Sequence, residues 1–116
     1  MLSFTGSLKV FLAIEPADLR KSFTGLYALT ANVLKEDPSS GALFVFTNRR
    51  RNRIKGLYFD GTGLWVMTKR LEKGTFCWPQ GVEVSNGKLP VSPEALSLLL
   101  DGVDLRQGSM RPWYQR

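Results

Sequence analysis

The chain has 116 residues, 16 lysines and arginines against 10 acids, one cysteine and no histidine. That length sets one domain, and the absence of histidine removes the usual general base, the commonest zinc ligand and the usual pH switch. Cys77 cannot form an internal disulfide, which fits a reducing compartment. The apolar run at residues 10–14 is far too short to span a membrane and has no basic segment before it. The sequence therefore predicts a soluble, cytoplasmic protein with no signal peptide and no membrane association.

In chain order, residues 8–14 (LKVFLAI) predict a first strand, closed by Glu15-Pro16. From Ala17 the period changes. Leu19, Phe23, Leu26, Thr30 and Val33 fall at helical spacing, with Tyr27 and Leu34 widening the stripe, which predicts a helix over 17–35 ended at Glu36-Asp37-Pro38. Gly25 weakens that helix unless a neighbour packs closely against it. Three strands follow at 42–47, 53–60 and 64–70. The Asn48–Asn52 turn and the glycine turn Asp60-Gly61-Thr62-Gly63 between them are too short for anything but an antiparallel meander. Leu43-Phe44-Val45-Phe46 and Leu57-Tyr58-Phe59 are apolar on both faces. One face is expected to take the first helix and the other the C-terminal third or a partner. Residues 75–79 (TFCWP) fit a short edge strand, and 82–84 with 88–91 fit a hairpin around Asn86-Gly87. Ser92-Pro93-Glu94 starts a second helix with a capping serine, proline in the first turn and an early acid, its apolar face is Leu96, Leu99 and Leu100, and Gly102 ends it. The expected architecture is α+β: an antiparallel β-meander sheet with one helix near each end, a single domain over 1–105, and a flexible basic and aromatic tail at 106–116.

The charge is not spread evenly. Arg49, Arg50, Arg51, Arg53, Lys55, Lys69, Arg70 and Lys73 face only Asp60 and Glu72 between residues 49 and 73, so this stretch carries the whole-chain net charge of +6. Alternation predicts Arg53 and Lys55 on one face, with Lys69 and Arg70 close to the arginine turn on the adjacent strand. A clustered basic surface on an otherwise neutral protein fits a polyanion, because guanidinium forks match phosphate oxygens and field strength follows clustering. The alternative is a solvated loop without a ligand. Arg20 and Lys21 either extend the surface or, for Arg20, pair with Asp18 or Glu15. Trp65 reads as core, Trp78 as equally core or surface, and Trp113-Tyr114 as further contacts or loose tail. Asp60 suits its own turn, Glu72 suits a local ion pair with Arg70 or Lys73, and Cys77 between Phe76 and Trp78 suits an inert thiol. These residues form no convergent carboxylate set of the kind two-metal phosphodiester cleavage uses. The expectation is a non-enzyme with no catalytic residues, no metal site and no cofactor.

Three stretches together carry a resemblance: DLRKSFTGL at 18–26, LFVFTNRRRNRIKGLYFDGTGLWVMTKRLEKGTFCWP at 43–79, and LSLLLDGVDL at 96–105. In order and spacing they resemble the small TnpB-type (Orf2) accessory proteins of bacterial insertion sequences of the sixty-six family, distinct from the RNA-guided nucleases that share the TnpB name. The resemblance spans residues 7–105. It implies an accessory role in DNA transposition, with strand-transfer chemistry in a separate large transposase encoded by the same element. The family's basic positions carry over onto Arg20, Lys21, Arg49, Arg50, Arg53, Lys55, Lys69 and Arg70. Ser22 stands where family members often have glycine, and Arg51 near a glycine or acid, so this turn is more basic than usual. The expected partners are DNA, bound through the face at 49–73, and the large transposase, with self-association possible. A protein-interaction adaptor that docks the transposase without touching DNA is the alternative, and a small nuclease using Asp60 and Glu72 is the weakest reading.

Overall fold

The computed structural model describes residues 7–80 and 86–101. Its elements are β1 (Val10–Ala13), α1 (Phe23–Asn32), β2 (Leu43–Thr47), β3 (Arg53–Phe59), β4 (Leu64–Arg70), β5 (Lys88–Val91) and α2 (Pro93–Leu100). The five strands make one sheet in the order β4-β3-β2-β1-β5. The β2-β3-β4 meander is antiparallel as expected, and β5 adds antiparallel to β1. The β1–β2 pair is parallel, with Val10 opposite Leu43 and Leu12 opposite Val45. A parallel neighbour needs a crossover, and α1 supplies it.

Each sheet face buries its own cluster. One joins Ala13, Phe44, Phe46 and Leu57 to Leu26 of α1 and Leu34 just beyond it, with Phe11 stacked on Phe44 at a centroid distance of 5.6 Å. The other joins Val10, Leu12, Leu43, Val45, Ile54, Leu89 and Val91 to Leu96 and Leu99 of α2 and to Phe76 and Trp78. This explains why β2 is buried at every position: it is covered on both sides. α2 begins as its sequence predicts, with the Ser92 hydroxyl accepting from the Ala95 N–H at 3.0 Å and Pro93 as its first residue.

The structure corrects several expectations. α1 is shorter than 17–35. The Ala17 N–H donates to Thr47 O at 2.8 Å, and the Asp18 carboxylate accepts the Arg20 N–H, so this stretch is held as a turn before the helix. At the other end Lys35, with φ of 59°, reverses the chain. The helix is also rotated from the predicted stripe. Leu26 and Thr30 are buried, whereas Phe23 is 49% exposed and Tyr27 and Val33 also face solvent. Trp65 is not core; it is 57% exposed, on the edge strand β4. Trp78 is fully buried, and its indole N–H donates to Ala13 O at 2.9 Å. Residues 75–79 form no strand. The expected strand at 82–84, the stop at Gly102, Trp113-Tyr114 and the tail lie outside the described residues.

Candidate nucleic-acid interface

The β2–β3 turn is a built structure. Asn48 Oδ1 accepts the N–H groups of Asn52 (3.1 Å) and Arg53 (3.2 Å), and Asn48 Nδ2 donates to Asn52 Oδ1 at 2.8 Å. Two further main-chain bonds tie the segment after β4 to this turn: Leu71 N–H to Asn52 O at 2.9 Å and Phe76 N–H to Arg51 O at 2.7 Å. They bracket the loop carrying Lys73, so that lysine is held beside the arginine turn. Local asparagine-to-backbone bonds of this kind favour turns over strand continuation.

On this scaffold the ten basic candidates separate. Arg49 and Arg50 are exposed at the tip. Arg51 is half-buried with φ of 59°, and its buried Nε has no hydrogen-bond partner. Arg53 lies directly opposite Arg70. The bonded pairs 60:63 and 52:71 fix the ladder's alternation, which makes 53:70 a non-hydrogen-bonded pair, the kind whose side chains come closest. Both arginines are exposed. Among the described residues the ion pairs are Arg20–Asp18 and Lys88–Glu36. Thus Arg49, Arg50, Arg53, Arg70 and Lys73 have no carboxylate partner there, and Glu72 does not make the expected pair with its neighbours. Like charges directly opposed on a sheet are destabilising, and nothing in the described chain offsets this pair.

Lys55 follows Arg53 on the same face. Its ammonium donates to Lys21 O at 2.9 Å, joining the patch to the segment leading into α1. A Cβ on Gly25 would stand 2.7 Å from Lys21 Cβ, so glycine there admits the Lys21 stem against the helix. This is the close neighbour that its place in a helix requires. Lys69 belongs to the opposite face, where its ammonium donates to Leu100 O at 2.7 Å near the C-terminal end of α2 and so meets the negative end of the helix dipole. Arg20 makes the pair with Asp18 at 2.8 Å. The Arg20 side-chain hydrogen bonds lower the Asp18 pKa to about 2, and Asp18 raises that of Arg20. The single basic face expected from the sequence is therefore an end-of-sheet cluster (Arg49, Arg50, Arg53, Arg70, Lys73) continued by Lys55 and Lys21, with Arg51 half-buried in the turn and Lys69 and Arg20 committed elsewhere.

Asp60 is explained by its turn. Oδ1 accepts from the Thr62 N–H and hydroxyl and from the Gly63 N–H, and Oδ2 accepts the Trp65 indole N–H at 2.8 Å. The Thr62 backbone bond first, then Trp65 and the remaining donors, hold its pKa well below the usual carboxylate range. Sequence reasoning missed this Asp60–Trp65 bond and the bracing by Asn48 and Asn52. The Asn-x-x-x-Asn spacing was a visible signal for the second. No helix among the described residues is long and apolar enough to cross a membrane.

Fold and site together define a small α+β domain that presents a braced, cation-rich sheet end. The chain belongs to the IS66 Orf2-like family, whose model matches residues 8–110. It is 38% identical over 112 residues to the uncharacterized protein y4jC of Sinorhizobium fredii, covering 97% of this chain and 93% of that protein. It is equally 38% identical over 114 residues to the uncharacterized protein y4hO of the same organism, covering 97% and 96%. No solved structure matches it. Membership implies an accessory role in the transposition of IS66 elements, alongside the element's transposase.

Proposed function

We propose that this protein serves transposition by holding DNA against the arginine end of its sheet, through phosphates and with little sequence choice of its own, while strand-transfer chemistry resides in the large transposase. The observation that carries this reading is the Arg53–Arg70 pair, set directly opposite on adjacent strands and, among the described residues, in no ion pair with a carboxylate. A phosphate between two such forks turns an unfavourable contact into a favourable one. The turn arginines and Lys73 extend the cationic surface around it. No catalytic step is assigned to this chain, and the Asp60 carboxylate oxygens are already occupied by turn donors and an indole. Exposed Phe23 and Tyr27, four residues apart on α1, favour a second reading in which the protein docks on the transposase without touching DNA.

Fluorescence anisotropy with a labelled duplex, measured across a salt series, tests the first reading. With about five phosphates neutralised, log affinity falls against log salt with a slope of roughly −4 to −5. Replacing Arg53 and Arg70 by alanine lowers that slope by about 2 and weakens element-end and scrambled duplexes alike. A flat salt response, or unchanged binding in the double variant, overturns it.

A further inference from the structure

The two edges of the sheet differ. β5 is four residues long and carries Pro90, both of which protect an edge. β4 is seven residues long and has no proline, and it carries the exposed Trp65. The bonded pairs 60:63 and 52:71 show which main-chain groups of β4 point inward. Residues 65, 67 and 69 bond to β3, so Leu64, Val66, Thr68 and Arg70 turn their N–H and C=O groups out of the sheet. Such a row is a template for another strand.

We infer that β4 pairs antiparallel with β4 of a second copy of this chain, joining two sheets into one of ten strands. The register that pairs the complete strand centres on Met67, and it satisfies the alternation. Leu64 with Arg70 and Val66 with Thr68 become hydrogen-bonded pairs, while Met67 with Met67 and Trp65 with Lys69 become the close, non-bonded pairs. Centring on Lys69 instead would oppose two lysines. The close pairs of the chosen register, Met67 with Met67 and Trp65 with Lys69, are complementary. Lys69 is held by its bond to Leu100 O, so its stem offers a fixed surface to the indole of the second copy. That indole arrives at the rim of an apolar groove of about 370 Å3 between α2 and β3–β4, lined by Ile54, Met67, Lys69, Leu96 and Leu100. Charge does not oppose the pairing. The two Arg70 residues stand six residues apart along the strands, about 20 Å, beyond a Debye length of about 8 Å at physiological salt.

The two-fold axis of such a pair is perpendicular to the sheet, so both arginine clusters lie on the same side of the joined sheet. One seven-residue strand and an indole make a small interface, which sets a reversible, micromolar-range dimer in the absence of DNA.

Analytical ultracentrifugation of the protein without DNA, loaded at about 100 µM, where a micromolar contact is nearly saturated, tests this directly. The wild type sediments at about twice the 13.0 kDa chain mass. Thr68→Pro removes an outward N–H and leaves the β3 ladder intact, so it keeps the wild-type circular dichroism spectrum and sediments as a monomer. Register is read by cross-linking in a Cys77→Ser background. Met67→Cys copies form a disulfide on mild oxidation, since non-bonded pairs place Cα atoms about 4.5 Å apart, and Trp65→Cys copies do not. A wild-type monomer, a dimer untouched by Thr68→Pro, or cross-linking through residue 65 instead of 67 overturns the inference. Because no arm contains DNA, its failure is separable from failure of DNA binding.

Discussion

Phe44 and Phe23 lie on stripes that the sequence places opposite one another, and the fold gives them different environments. Phe44 is fully buried between sheet and α1, stacked on Phe11 with an interplanar angle of 12°. Phe44→Ala removes that pair and leaves a cavity, and such truncations cost about 3–5 kcal/mol, of which the aromatic pair supplies about 0.5–1.5. Phe23 is the first residue of α1 and 49% exposed. Halving the usual burial value gives a loss of about 1 kcal/mol, and alanine's better helix propensity offsets a few tenths of it. The two variants should therefore differ by at least about 2 kcal/mol, or on the order of 10 °C in Tm for a domain of this size. Urea and thermal melts followed by circular dichroism measure both. If Phe23→Ala proves as costly as Phe44→Ala, α1 packs through the stripe predicted from its sequence, and the helix orientation described here is wrong.

The tryptophans should separate in the same way under urea. Trp78→Phe removes the indole bond to the Ala13 carbonyl and loosens the core beneath α2, costing about 2 kcal/mol or more, while Trp65→Phe stays within about 1; equal losses would refute the assignment of core and surface. Asp60 should titrate below the ordinary aspartate value. Its folded pKa is depressed, so its contribution to stability is complete above the unfolded value of about 3.9 and is lost as pH falls through the folded one. Carboxyl-carbon NMR should show the low midpoint, with the Trp65 indole proton shifting alongside it; titration near 3.9 would mean the turn bonds do not persist in solution.

Much of the architecture was legible in local chemistry. Glycines and an aspartate at 60–63, and asparagines at 48 and 52, can only turn the chain tightly, so three strands joined by them must form an antiparallel meander. Serine, proline and glutamate at 92–94 set the start of α2 through bonds within four residues. The doubly apolar β2 announced that both faces would be covered. The clustering of positive charge between 49 and 73 was likewise a property of the sequence alone.

What the sequence left open depends on contacts between distant residues. Parallel pairing of β1 with β2 follows from how α1 crosses the sheet, which no local pattern encodes. The sequence pointed to Trp65 as core and left Trp78 even, and the fold reverses this: Trp78 packs into the core and bonds to Ala13, 65 residues away, while Trp65 stays at the sheet edge. Arg53 and Lys55 share a strand face, but whether each finds a partner is decided elsewhere: Lys55 meets the carbonyl of Lys21, and Arg53 meets another arginine. Lys69 and Arg70 are adjacent, and alternation sends one to the end of α2 and leaves the other in the patch. Composition determines how much charge a chain carries. Which of those charges stays unpaired is a property of long-range packing, and that is why the site took its shape only in the folded molecule.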